Sequence, residues 1–370
     1  MKSVLNFLII FLFFINASVA EEGMYPLSEI DKLDLDQLGF EIAGWELYNP
    51  DGISLIDGIC KVGGCSGSFV SSQGLILTNH HCAYEAIRDA STPQNDFLEH
   101  GFHAATREQE VRAEGYQVRI TVDYYDVSES ITSVITAGMD PADRTEAIKN
   151  QIKSIELQAE EDHPGLRAEV AEMFIGRTYV IFLYRYLKDV RLVYAPPRSI
   201  GNFGGEIDNW MWPRHSGDFS LMRVYVAPDG SSADYSEDNI PYEPEKVIEI
   251  EPNGVDEDDF VFILGYPGRT YRHRTSHHLA FEYDLRLPTT ADLYQWQISI
   301  LKGFGINDRD ISLKLASRIK SLSNRMKNYR GKLQGIRRIG LVEQRLRLEQ
   351  ELQEHINSNP DRKERYGNIL

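Results

Sequence analysis

The sequence predicts a mixed β + α protein, with a β-rich region up to about residue 276 and a helical region over 277–370. Three observations carry this. From Ser54 to Tyr84, short apolar runs alternate with glycine, the pattern of short strands and tight turns. Between later strand-like runs lies a dense loop, Pro196 to Gly217, holding four glycines and three prolines. After about His277, glycine and β-branched residues thin out, and Leu, Arg, Lys, Glu and Gln recur at helical spacing.

Taken in order, the chain opens on Lys2 followed by the apolar run Val4 to Ile15, too short for a membrane span. Ser18-Val19-Ala20 offers small residues for cleavage, so residues 1–20 are expected to be a signal peptide and the mature chain to begin at Glu21. No later stretch is apolar enough to cross a bilayer, which predicts an exported protein that is free of the membrane once the signal is removed. Residues 85–115 read as helix and loop, and Val118 to Val127 as a strand. A helix is expected from about Ala142 to Glu160, with Pro141 suitably placed at its start. Thr178 to Leu187, Arg191 to Tyr194 and Phe219 to Val226 read as strands, the last turned by Pro228-Asp229-Gly230. Val247 to Ile250 and Phe260 to Leu264 are read as further strands. Helices are expected over Ala291–Leu301, Asp310–Lys327 and Ile339–Ile356.

The formal net charge of −17 argues against nucleic acid or an anionic membrane as partner. In an oxidising compartment the three cysteines read as disulfide material. A Cys65–Cys82 bridge is the expected pairing. Cys60 is left over, either as a buried thiol or as the true partner of one of the other two.

The chemistry concentrates in Cys65-Ser-Gly-Ser-Phe-Val-Ser-Ser-Gln-Gly-Leu-Ile-Leu-Thr-Asn-His-His-Cys82. An apolar strand, Leu75 to Leu77, delivers a histidine locked beside a cysteine. Chymotrypsin-like serine proteases present their general base in this way. His81 is therefore the expected base. His80 should face the opposite way, as successive side chains do at a strand end. An orienting carboxylate is needed next in chain order. Asp218 fits because it immediately precedes the strand running on from Phe219, whereas Glu206 and Asp208 sit within the loop. A nucleophile loop of the form Gly-x-Ser-Gly occurs once, at Gly64-Cys65-Ser66-Gly67. It is rejected because it precedes the histidine and its cysteine is wanted for the bridge. The nucleophilic serine is accordingly expected beyond Leu370, and these residues alone are expected to be inactive.

These stretches resemble the bacterial periplasmic serine dipeptidyl-peptidases of the dipeptidyl-peptidase 7 and 11 type. The matching segments are Glu22-Gly-Met-Tyr-Pro-Leu27, Cys65 to Cys82, Phe203-Gly-Gly-Glu-Ile-Asp-Asn-Trp-Met-Trp-Pro-Arg-His-Ser-Gly-Asp-Phe219, and Gly265-Tyr-Pro-Gly-Arg-Thr270. The resemblance implies a chymotrypsin-like double β-barrel with a large helical domain inserted into the second barrel. On that plan, residues 21–276 hold a complete first barrel and the start of the second, and residues 277–370 begin the insert. It implies His81 and Asp218 as triad members. It also implies that Asn209, Trp210 and Asn324 hold the free ammonium group of a peptide substrate, Asn328 being the alternative to Asn324. An ammonium offers only donors, so acceptors such as an asparagine Oδ1 suit it. No cofactor or metal is implied. Location in the periplasm or cell envelope of a Gram-negative bacterium, and often a homodimer, follow from the same resemblance. Glu206 departs from the usual aspartate and Tyr25 from the usual tryptophan.

Two other classes compete. A metal-dependent hydrolase would draw on His273, His277 and His278 with His80, His81 and Cys82, but the chain has no His-Glu-x-x-His string and the segment after Thr270 is arginine-rich. A non-catalytic protein of the same fold could hold peptide amino ends at Asn209 and Trp210 without a nucleophile.

Overall fold

Strands β1 (Ile59–Val62) and β2 (Cys65–Phe69) form a hairpin across a two-residue turn in which Gly63 takes a left-handed conformation, φ 55°. A second turn leads to β3 (Leu75–Thr78). There Gly74 sits at φ 67°, and a Cβ would lie 2.7 Å from the Val224 carbonyl oxygen, so glycine alone fits. The computed structural model describes residues 25–367 apart from 28–29, 31–32, 38, 50, 175, 258, 269–270 and 272–273. The expected signal peptide lies outside the described residues.

Helix α1 (His80–Ala90) follows β3 directly. The short β4 (Phe102–His103) and β5 (Val111–Arg112) precede the long β6 (Val118–Asp126). Helix α2 (Pro141–Asp162) has Asp140 as its cap and proline in its first turn, as expected. After it come β7 (Arg167–Phe174), β8 (Thr178–Leu187), β9 (Asp189–Ala195), β10 (Ser220–Val226) and β11 (Ile240–Pro241). The strands make one antiparallel sheet in the order β4-β9-β10-β3-β2-β1-β6-β8-β7, with β5 on β9 and β11 on β10. The consequence for the site is direct. β10 inserts between β9 and β3, pairing Ser220 with Thr78, so the residue two before Ser220 lies beside the residues just after Thr78.

Two cores hold this sheet. The larger gathers Cys60, Val62, Phe69, Ile76, Met222 and Val224 from the strands with Ala83 and Ile87 of α1. The smaller packs Ile148, Ile152 and Ile155 of α2 against Tyr179, Ile181 and Leu183 of β8. β7 is the edge. Two of its free amides are taken by carboxylates of α2, Ala168 N–H donating to Glu160 (3.2 Å) and Val170 N–H to Glu156 (2.8 Å). Covering an edge this way blocks further strand addition.

The complete first barrel expected from the sequence is not closed: among the described residues β4 and β7 end the path without pairing with each other. The strand expectations for Val247–Ile250 and Phe260–Leu264 also fail. Both stretches run without a ladder, the first held by Ile248 N–H on the Phe69 carbonyl (2.8 Å). Phe260 and Phe262 instead pack edge-on against Phe40.

The last quarter is helical: α3 (Ser276–Phe281), α4 (Leu287–Gly305), α5 (Arg309–Ile339), α6 (Leu341–Asn357) and α7 (Pro360–Tyr366). Helix α5, 31 residues long, runs well past the expected Lys327 and is stopped by Gly340 at φ 60°. Its first half is built into the β region. Leu313 joins the larger core, and Arg309 pairs with Asp96. Among the described residues no helix is long and apolar enough to cross a membrane.

Candidate active site

His81 does not stand at a strand end. β3 pairing stops at Thr78, and the Asn79 carbonyl accepts from Cys82 N–H (3.1 Å) and Ala83 N–H (3.2 Å), turning the chain into α1. The two histidines still diverge, but by the helical rotation rather than by strand alternation. His80 is fully buried and His81 is half-exposed.

Asp218 reaches α1 from the start of β10. Its Oδ1 accepts the His81 amide N–H at 3.0 Å, and its Oδ2 lies 2.7 Å from His81 Nδ1. Asn79, which caps α1, makes no side-chain cap; its Nδ2 donates to the Asp218 carbonyl at 3.0 Å. The carboxylate thus supplies from across the sheet the acceptor that an N-cap side chain would otherwise provide. One group fixes both the helix start and the ring. Arg214 donates to Oδ2 at 3.1 Å. Burial by itself raises the Asp218 pKa. The hydrogen bonds from the His81 ring and amide, with the Arg214 charge, outweigh it and hold the carboxyl below the ordinary aspartate range. An ionised, oriented acceptor on Nδ1 leaves Nε2 to exchange a proton with a nucleophile, the ring being 49% exposed against 10% for the acid.

His80 has a different role. Neither ring nitrogen has a hydrogen-bond partner among the described residues, and burial with the nearby Lys320 charge pushes its pKa down to about 4. It is a neutral packing residue. A Cβ on Gly201 would lie 2.6 Å from its ring, so that glycine makes room for it.

The disulfide joins Cys65 to Cys82, tying the residue after His81 to β2, and Cys60 is a buried free thiol whose pKa burial pushes far up. The bridge closes a separation of 17 residues. Replacing both cysteines by serine is expected to lower the unfolding free energy by about 3 kcal/mol, read as a fall in the urea midpoint. An unchanged midpoint would show that the packing of α1 holds the site without the bridge.

The competing groups fall away on geometry. Ser66 Oγ accepts from Tyr266 N–H (2.8 Å), and the Ser66 carbonyl accepts from Thr78 Oγ1 (2.9 Å). This serine seams the Gly265-Tyr266 turn to β2, at an open cleft of about 260 Å³ that it shares with Asn79, Asp218 and Phe219. Asp208 accepts from His215 N–H (3.2 Å) and Ser216 Oγ (3.4 Å), closing its own loop. For a metal, the Cys65, His81 and Cys82 donor atoms lie within 4.8 Å of one another. However, the two sulfurs are bonded to each other, and a metal would need thiolates. His273 lies outside the described residues.

Asn209, Trp210 and Asn324 meet, although 115 residues separate the two asparagines. Asn324 Oδ1 accepts from Asn209 Nδ2 (3.0 Å) and from Trp210 Nε1 (3.0 Å). Trp210 holds a left-handed φ of 60°, uncommon for a bulky residue and a mark of a loop fixed by its surroundings. The fixing comes from one stripe of α5. Lys320 donates to Asn202 Oδ1 (3.3 Å), and Lys327 to the carbonyls of Glu206 (2.6 Å) and Ile207. Asn328 takes no part in this cluster. Sequence reading missed both lysines, Glu206 as a partner of Asn209, and Arg214 on Asp218. Arg214 and Glu206 lay inside the quoted motif, but the lysines read as ordinary solvated helix residues.

An imidazole held by a part-buried carboxylate, beside a pinned Asn-Trp loop, is the arrangement that hydrolases of the His–Asp type use. The description of the Peptidase S46 family matches residues 20–370, and the chain belongs to that family. It is 36% identical over 355 residues to dipeptidyl-peptidase 7 of Capnocytophaga gingivalis, covering 95% of this chain and 49% of the relative. It is 37% identical over 326 residues to the Asp/Glu-specific dipeptidyl-peptidase of Shewanella putrefaciens, covering 87% and 44%. The crystal structure of Porphyromonas endodontalis DPP11 in complex with the dipeptide Arg-Asp superposes with a TM-score of 0.85 at 32% identity, over 91% of this chain and 50% of that one. The chain spans about half the length of the curated relatives it matches.

Proposed function

We propose that the protein carrying this chain is an exported serine-type dipeptidyl-peptidase that releases dipeptides from the free amino end of peptides. His81 is the general base, Asp218 orients it, and a serine hydroxyl presented at Nε2 attacks the scissile carbonyl. Asn209, Trp210 and Asn324 form the subsite for the substrate ammonium. Fixing that group two residues from the scissile bond would measure out a dipeptide. The observation that carries the reading is the His81 Nδ1–Asp218 Oδ2 contact of 2.7 Å, with the carboxylate anchored at the same time on the His81 amide. The finer fold belongs to the same proposal: a chymotrypsin-like plan in which residues 21–276 are the catalytic region and 277–370 begin an inserted helical domain. A periplasmic location and a homodimer are carried with it.

The test uses the enzyme expressed from its whole reading frame. Peptides with a free amino end should yield dipeptides, their N-acetylated forms should not, and an organophosphorus serine reagent should label the protein covalently and stop turnover. A protein that binds peptides but resists both labelling and turnover would establish the non-catalytic alternative.

A further inference from the structure

The hydrogen-bond accounting around Asn209 singles out one more residue. Trp210 Nε1 is a donor only, so the atom of Asn324 facing it at 3.0 Å must be the oxygen. That oxygen also receives Asn209 Nδ2 at 3.0 Å, which occupies both of its lone pairs. Asn209 Nδ2 spends its second hydrogen on Glu206 Oε2 at 3.1 Å. The orientation of the Asn209 amide is thereby fixed from both sides. Its Oδ1, turned away from Glu206 and Asn324, accepts no hydrogen bond among the described residues. Glu206 is part-exposed and makes no ion pair among the described residues. Two cations lie near but neither forms an ion pair with its carboxylate: Lys327 donates to the Glu206 and Ile207 carbonyls, and Lys320, which feels the Glu206 charge, donates to Asn202 and lies over the Tyr84 ring at 4.5 Å.

Resting on the ammonium subsite proposed above, we infer that Glu206 is the counter-charge for the substrate's α-ammonium, which Asn209 Oδ1 accepts alongside it. Asn324 keeps its place in that subsite, its oxygen holding Asn209 and Trp210 in position. The chemistry fits. A neutral amide oxygen orients an ammonium, but only an ionised group compensates the charge it loses on leaving water. A carboxylate has acceptor sites to spare after one bond to Asn209.

Binding of a product dipeptide and of its desamino analogue, measured by calorimetry on the whole enzyme, tests this. In wild type the free-amine dipeptide should bind more tightly. Glu206→Gln should reduce that preference roughly 10- to 100-fold, leave the desamino affinity unchanged, and leave the melting temperature within a few degrees. Glu206→Asp, which keeps the charge, should recover most of the preference. A Gln variant with the wild-type preference, or one in which both affinities fall equally, overturns the inference. A wild type showing no preference for the free amine would instead overturn the proposed subsite itself.

Discussion

On the proposed roles, His81→Ala in the full-length protein is expected to lower kcat roughly a millionfold and Asp218→Ala roughly ten-thousandfold, with KM changed little. The asymmetry follows from the roles. Without the imidazole no group takes the nucleophile's proton. Without the carboxylate the ring remains, but its tautomer and direction are no longer imposed through the 2.7 Å contact at Nδ1. The double variant should be hardly worse than His81→Ala, because the two side chains act as one unit. Asp218→Ala carries an additional structural effect that His81→Ala does not, since Asp218 also accepts the His81 backbone amide in the first turn of α1. Loss of a cap costs about 1 kcal/mol, so a small fall in melting temperature should accompany Asp218→Ala alone. Steady-state kinetics on a dipeptidyl substrate, paired with thermal unfolding, separates the two effects. Turnover by His81→Ala within tenfold of wild type would remove His81 from the chemistry.

The acid side of this couple has a definite sign. The folded-state pKa of Asp218 is depressed, so its pairing stabilises the fold above the ordinary aspartate range and is lost as pH falls through the lower folded value. Protonation of Asp218 therefore does not switch the couple off near neutral pH.

The couple was readable in the sequence because each half carries a local signature: a histidine closing a strand–Thr–Asn run beside a cysteine, and an aspartate immediately before an apolar strand. Their meeting depends on β10 entering between β9 and β3, a long-range pairing that the choice of Asp218 by chain order and strand start did not itself specify. What escaped the sequence reading escaped for the same physical reason in each case. β7 reads Arg-Ala-Glu-Val-Ala-Glu-Met-Phe, in which only Val170 and Phe174 favour strands; it is a strand because β8 pairs with it and two glutamates of α2 cap its edge. The helix start at His80 was marked by Asn79, a good cap residue, but the apolar strand before it drew the histidines into the strand. Whether a sheet closes depends on which tertiary partners its edge strands meet, and no local pattern encodes that. Lys320 and Lys327 share a helix face with Asn324, yet a lysine stripe has the same appearance whether it meets water or a loop's carbonyls.

The second large effect lies inside β9, next to β10, the strand that Asp218 precedes. Asp189 and Arg191 point to the same side of β9, their side chains 0% and 9% exposed. They make two hydrogen bonds to each other, at 3.0 and 2.7 Å. Arg191 also donates to the Ser236 carbonyl (2.8 Å) and lies between the rings of Tyr225 (3.8 Å) and Tyr235 (4.8 Å), while Asn239 donates to Asp189 (2.9 Å). Arg191 Nε and Nη2 and both Asp189 carboxylate oxygens have partners, which makes removal of one charge far costlier than removal of both. Asp189→Ala strands a buried guanidinium and should cost about 3–5 kcal/mol. Asp189→Ala with Arg191→Met leaves no unpaired charge and should recover much of that loss, the methionine filling the slot between the two tyrosines. Urea unfolding at constant slope gives both values. If the single variant lost less than about 1 kcal/mol, or the double variant were no better than the single, the pair would be a solvated ion pair with no hold on the sheet. The expected result makes this polar cluster the anchor that keeps β9 in register against β10, and so keeps the first residues of β10 beside α1, where the carboxylate meets the ring.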